Sequence, residues 1–515
     1  MRTFRTILNL RNPLKTKIMS EMIYLHEPKL TFGYGQQSID PRDGLLLYGP
    51  FDNKKVLGKQ TIGIIGPKEL RTKLISYLRR IHTPVVNEDS ARPNFPGLDA
   101  AFGVSINFDS IQEIDIPNEK LEVYKHYVDS HQRIHNWTEL YFQKLKKYVE
   151  EEERSVTMWF VVIPNYVFQF GRPKSRIPKD ALNVKVGLPK KERDSKQIGL
   201  FPDFQEEDDR LREAYKYELN FHNQLKAKVL SLRIVTQIIR ECKIIAPDPN
   251  DSYAVKMESA KAWNISTTFY YKLGGLPWKL GDVRDNVCYL GLVYKKTEES
   301  SCSKNACCAA QMFLDSGDGM VFRGNVGPWW NPVTKEFHLS KNDAFVMISQ
   351  SLKAFYDKFS YYPEEIFIHA KTYFDDDEWE GFLEATLGKS KIIGVRIRPV
   401  GNFKLYRSSS YCVPRGMMLR YDANRAYLWT KGFIPRFKSQ IGLEVPSPLD
   451  ISITRGDGNI EVVCKDILSL SKLNYNACIY GDGLPVTLKF ADSIGEILTA
   501  GRDLKTGVLP FKHYI

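Results

Sequence analysis

Two runs of the chain, TIGIIG at 61–66 and MWFVVIP at 158–164, are apolar at nearly every position, and this constrains the fold more than any other feature. A strand with one wet face alternates polar and apolar residues, whereas a run without alternation is covered on both faces. Helical spacing follows the first run: Leu70, Leu74, Ile75, Leu78 and Ile81 predict a helix over 70–81. A helical stretch over roughly 118–153 precedes the second run, and another over roughly 209–232 leads into VTQIIRECKII. Strands alternating with helices predict a parallel, Rossmann-like sheet covered on both faces. Residues 171–209, rich in Pro and Lys and then acidic, read as a long loop.

A second α/β unit is expected from about residue 252. Strand-like runs lie at 287–294 (VCYLGLVY), 308–314, 320–323 and 366–370 (IFIHA), with a helix near 341–359. More strand-like runs follow over 392–433, then helices over 461–472 and from about 490. Successive strands followed by strand–helix alternation fit an RNase H-like layout. A length of 515 residues suits two or three domains, and 43% hydrophobic residues suffice for their cores. Lys and Arg number 73 against 61 Asp and Glu, and a formal charge of +12 favours a polyanionic partner. Eight scattered cysteines, such as Cys288 and Cys478 in apolar runs, point to buried thiols in a reducing cytoplasm. Cys302, Cys307 and Cys308 lack the paired spacing of a zinc knuckle. No apolar run reaches the 18 residues of a membrane span. The Arg-rich, acid-free start, MRTFRTILNLRNPLKTKIM, is read as an extension ahead of the globular region.

The most informative polar residues cluster in YKYELNFHNQLKAKVL and VTQI. His222 and Lys226, four apart on the expected helix, project from one face. Gln237 follows eleven residues later, and Lys272 lies in YYKLGGLPWKL. A terminal phosphate needs several converging donors, which His, Lys, Gln and Lys supply. Taken alone, the His–Lys pair reads more simply as an ordinary solvated helix face. Other features have plainer readings. Asp375, Asp376 and Asp377 precede EWEGFL and read as helix-start chemistry with Glu378. His131 and His135 have a zinc-like spacing but Gln132 replaces the catalytic Glu, which leaves a solvated helix face. GDGLPVT and SGDGM read as turns.

YYKLGGLPWKL resembles the entry to the PIWI domain of Argonaute proteins, with Lys ahead of a Gly-Gly turn and Pro-Trp. EPKLTFGYGQ with DGLLLYGP resembles the linker entering a MID domain, and LSKLNYNACIYGDGLPVTLKFADSIGEI resembles a PIWI end. The likeness runs over 22–515 and is similar to short prokaryotic Argonautes. NACCAAQMFLDSGDG and KDILSLSKLNYNA resemble most the Argonaute subunit of SPARTA systems. The resemblance implies an N-terminal extension (1–21), a linker-like entry (22–50), a Rossmann-like MID domain (51–250) and an RNase H-like PIWI domain (251–515). It implies a guide RNA whose 5′ phosphate is held by His222, Lys226, Gln237 and Lys272. It further implies a structural Mg ion held by Gln237 and the terminal carboxylate of Ile515. Complementary single-stranded DNA would be the target, and a TIR-APAZ chain that hydrolyses NAD would be the partner, in defence against plasmids or phages. A higher oligomer is expected after target binding.

The resemblance also implies a PIWI domain with no catalytic residues. The first nuclease Asp would stand in VCYLGLVYKK, where Leu292 and Val293 occur, and the second near His369, Ala370 and Lys371. Asp492 alone survives, and one carboxylate cannot hold two metal ions. A guided nuclease with an unusual site, or a guide-independent single-strand binder, are the alternatives.

Overall fold

The computed structural model describes residues 21–52, 56, 58–87, 93–152, 155–173, 175, 211–281, 284, 286–296, 306–314, 319–323, 329–440, 444–500 and 509–515. Most of the predicted 171–209 loop, most of the N-terminal extension, Cys302 and most of SGDGM therefore lie outside the described residues.

After an initial strand β1 (Glu21–Tyr24), four parallel strands form the first sheet. They are β2 (Ile62–Gly66), β3 (Gln112–Asp115), β4 (Met158–Ile163) and β5 (Thr236–Arg240), in the order β3-β2-β4-β5. The double-sided burial predicted from TIGIIG and MWFVVIP is found. Ile62, Ile64, Phe160 and Val162 pack with Leu70, Leu74 and Leu78 of α1 (Lys68–Arg80). Ile65, Trp159, Val161 and Ile163 face a separate core with Ile134, Trp137 and Tyr141 of α2 (Ser130–Glu151) and Leu225 of α3 (Phe221–Val229). Gly63 makes room for a neighbour, because a Cβ there would lie 2.3 Å from the Trp159 ring.

The helix expected over 118–153 is two helices, Asn118–Lys125 and α2. Asp129 starts the second by accepting the Gln132 N–H at 2.9 Å, which a periodicity argument cannot see. Likewise the stretch expected over 209–232 is broken: residues 211–214 are helical, and α3 starts afresh at Phe221 behind the Asn220 cap.

α4 (Ser252–Lys272) bridges the two units. Its Ala262, Trp263, Phe269 and Tyr270 belong to a core continuous from the α1 side of the first sheet to the second sheet. That second sheet has nine strands: β6 (Val287–Lys296), β7 (Ala306–Leu314), β8 (Gly319–Arg323), β9 (Glu365–Ala370), β10 (Lys391–Pro399), β11 (Met417–Arg420), β12 (Arg425–Leu428), β13 (Leu449–Arg455) and the early β1. The order is β1-β11-β12-β13-β10-β9-β6-β7-β8; β6, β9 and β10 run parallel and the other pairs antiparallel. α5 (Lys341–Phe359) and α6 (Asp376–Thr386) cover Leu290, Leu292, Ile368 and Ala370 on one face. α7 (Ile460–Leu470) and α8 (Val486–Thr499) cover Tyr289, Val293, Phe367 and Val395 on the other. Gly291 lets α8 approach, since a Cβ would stand 2.1 Å from the Thr487 carbonyl oxygen.

The entry segment is stitched into the second unit. β1 pairs with β11, and the buried Glu27 carboxylate accepts from Arg415 Nε at 3.1 Å and Lys472 Nζ at 2.8 Å.

Candidate phosphate pocket and a carboxylate between two lysines

Three elements and the last residues converge between the sheets. α3 brings Lys226, α4 ends on Lys272, β5 opens with Thr236 and Gln237, and Ile515 packs among them. Lys226 Nζ donates to the main-chain oxygens of Thr236 and Ile515, both at 2.7 Å. Lys272 Nζ donates to the same two oxygens at 2.6 and 2.5 Å. Both side chains are 1% exposed. Among the described residues, no side-chain carboxylate pairs with either ammonium.

Two cations crowded out of water disfavour their own charge. Burial pushes Lys226 down to about 7. Burial, and then the neighbouring Lys226, hold Lys272 well below the ordinary lysine value. His222 opens to the surface while protein surrounds it on its other sides; that burial, and then Lys226, push its imidazole down to about 4. Its Nδ1 lies 3.1 Å from Asn223 Oδ1. The arrangement suits a ligand that brings negative charge.

Gln237 Nε2 donates to the Ile238 carbonyl at 3.4 Å, while the buried Oε1 has no partner. The unpartnered Gln237 oxygen is of the hard kind that a divalent cation takes, whereas the Ile515 oxygen already accepts from two ammonium groups. Of the residues named from the sequence, the fold joins Lys226, Lys272 and Ile515 through hydrogen bonds and sets His222 near the two lysines, while the Gln237 side chain donates to Ile238. Sequence reasoning missed the Thr236 carbonyl, because a main-chain oxygen carries no residue signature. It also missed His513, whose Nδ1 lies 3.2 Å from the Ile234 carbonyl oxygen. Burial lowers the His513 pKa, and Lys512, Lys226 and Lys272 lower it further.

A second group of polar residues stands at the C-terminal ends of β6 and β9. Leu292 pairs with Ala370, and both are buried. Asp492 on α8 takes Lys295 Nζ at 2.8 Å on Oδ1 and Lys371 Nζ at 3.1 Å on Oδ2. Lys295 also reaches Glu496 Oε1 at 3.0 Å. These two lysines, though Asp492 is partly buried, hold its carboxyl below the ordinary range. They border a cavity of about 280 Å³ that Leu292, Val293, Tyr294 and Thr372 also line. His369 is fully enclosed, with Nδ1 2.9 Å from Thr487 Oγ1 and no partner on Nε2; burial pushes it down to about 3.

The plainer readings divide. Asp375 caps α6 and forms a capping box with Glu378, as expected. The HQRIH face is not solvated, which corrects the expectation: His135 is buried against Tyr217, and Gln132 Nε2 donates to the Leu211 carbonyl at 2.6 Å. Residues after 210 cover that face, a tertiary contact invisible to local pattern. Among the described residues no three His, Cys, Asp or Glu gather as a metal site.

No protein family matches the chain, and no curated protein does. Solved structures do. A Rossmann-like parallel sheet joined to an RNase H-like sheet defines an α/β protein with its candidate anion pocket at the junction. That is the fold of Argonaute MID and PIWI domains. Clostridium butyricum Argonaute, bound to a guide DNA with 5′ deoxycytidine and a 19-mer target DNA, superposes with a TM-score of 0.63 at 17% identity. The match covers 96% of this chain and 55% of that one. Aa-Ago with externally bound siRNA gives 0.57 at 15% identity, covering 96% and 56%. Aquifex aeolicus Argonaute gives 0.55 at 14%, covering 96% and 57%. The chain spans little more than half the length of these structures.

Proposed function

We propose that the chain holds a 5′-phosphorylated guide strand and presents it to a complementary strand without cutting. The observation that carries this reading is the pair of buried lysines, Lys226 and Lys272, which share a Thr236 and an Ile515 main-chain oxygen and, among the described residues, have no side-chain carboxylate partner. A terminal phosphate supplies the missing negative charge and returns both lysines to their protonated state. His222, neutral near pH 7, offers a ring and a hydrogen bond at the pocket entrance rather than a charge. Gln237 and Ile515 would hold a Mg ion, which would share the neutralisation of the phosphate. Sequence readout belongs to base pairing, with the protein gripping backbone.

The non-cleaving part of the proposal rests on Asp492. A two-metal nuclease needs several carboxylates turned toward its cations, whereas this one is occupied by two lysines. A module that holds and does not cut needs another chain for its output. The resemblance to short prokaryotic Argonautes, and to SPARTA in particular, supports a guide RNA, a single-stranded DNA target and a TIR-APAZ partner. Target recognition would then switch on NAD hydrolysis in the cytoplasm, with a higher oligomer forming.

The test is guide binding with 5′-phosphate and 5′-hydroxyl forms of one RNA, followed by incubation with labelled complementary DNA and Mg or Mn. The proposal expects strong preference for the phosphate and no cut product. A guide-independent binder shows no such preference, and a nuclease shows product. NAD loss on target addition, measured with the TIR-APAZ chain present and absent, tests the partner.

A further inference from the structure

The Lys295–Asp492–Lys371 arrangement plays no part in the guide pocket, yet its geometry is specific. Each Asp492 oxygen holds one ammonium group, at 2.8 and 3.1 Å, so one carboxylate bridges two cations. In a two-metal nuclease, cations bridged in this manner clamp the phosphodiester that is cut. An ammonium can donate hydrogen bonds to a phosphodiester but cannot ionise a water molecule as a divalent metal does. Lys371 is 36% exposed and Lys295 24%, so solvent and ligand reach both. The adjoining cavity of about 280 Å³, which Leu292, Val293, Tyr294 and Thr372 also line, has room for a phosphate group.

We propose that Lys295 and Lys371 form a metal-free binding site for a phosphodiester of the target strand, a proposal that rests on the guide-holding reading above. Lys295 and Lys371 balance Asp492 and Glu496 in formal charge, so the site acts by short-range donors rather than long-range attraction. Its contribution then depends on one or two linkages of the strand, unlike a general basic surface, which feels them all. Asp492 takes up both ammonium groups and so competes with the phosphate for them.

The experiment uses the full chain loaded with a 5′-phosphorylated guide and a series of target strands, each carrying one neutral methylphosphonate linkage. In the wild type, one or two linkages within the paired region should lower target affinity by about 3- to 10-fold, an exposed-lysine fraction of a full charged hydrogen bond. Lys371→Ala should lose a similar factor against unmodified target and flatten the profile at those linkages; Lys371→Arg should restore it. Lys295→Met should flatten it as well. Asp492→Asn should tighten target binding by releasing both donors, whereas loss of a nuclease carboxylate would have no such effect. Guide affinity should be the same for all variants, which separates this site from the guide pocket. Retention of the dip in both lysine variants, or weaker target binding by Asp492→Asn, overturns the proposal while leaving guide holding intact. A wild-type complex with no preference for the complementary strand removes both readings together.

Discussion

Replacing Lys226 by Met separates ligand binding from folding, because the two respond in opposite directions. Met keeps most of the apolar stem and removes the charge. In the free protein the Thr236 and Ile515 oxygens keep their bonds from Lys272 at 2.6 and 2.5 Å, so no buried acceptor is orphaned. Removing one of two crowded, buried cations also relieves the pressure that lowers Lys272. Stability without guide should therefore fall by less than ~1 kcal/mol, or rise. With guide bound, the same change deletes a charge-assisted bond to phosphate, worth about 1.5–3 kcal/mol. That corresponds to roughly 10- to 150-fold in Kd. Fluorescence anisotropy with 5′-phosphate and 5′-hydroxyl guides, beside thermal melts of the free protein, gives both numbers. An equal loss for the two guides would make Lys226 part of a general basic surface. A collapse of the melting temperature would make it a structural strut.

Lys272→Ala should lose phosphate-specific affinity like the Lys226 variant, whereas Lys190→Ala, outside the described residues, should lose none in the same anisotropy assay. Tyr514 and Ile515 are buried at 3% and 9% exposure, so residues appended after Ile515 should impair guide loading while the same tag ahead of Met1 does not; equal loading of both forms contradicts a role for the Ile515 oxygen. Chelation of Mg should weaken the 5′-phosphate guide and spare the 5′-hydroxyl guide, as read by isothermal titration; equal effects on both would place the metal elsewhere. His369, pushed from 6.5 down to about 3 by burial, binds its proton in the unfolded chain before the folded one. Stability should thus rise with pH between about 3 and 6.5, by roughly 2 kcal/mol from pH 5 to 6.5; in His369→Gln, denaturant titrations should show that acid limb flattened.

What could be read from residues alone divides according to how far each contact reaches along the chain. TIGIIG and MWFVVIP announce two-sided burial, because Ile64 and Ile65 feed different cores and neither face tolerates a polar residue. The Asp375 cap is equally local, its partners lying within three residues. Breaks at Asp129 and Asn220 hide inside apolar periodicity, since a cap interrupts a helix without changing the pattern around it. β1 and β13 escape notice for another reason. Four residues at a sheet edge, and LDISITR with its polar alternation, become strands only through partners up to about 400 positions away. The pocket residues were legible through resemblance, yet their electrostatic state was not. Lys226 and Lys272 look like ordinary surface lysines until the fold places both nitrogens on the same two main-chain oxygens. Lys295 illustrates the limit most directly. Three residues past Leu292 on β6, it carries no motif, and only the close seating of α8 against Gly291 brings Asp492 beneath it. That Leu292 and Ala370 are not acids can be read from the sequence alone; the lysines that stand around Asp492 are a property of the packed sheet and helix.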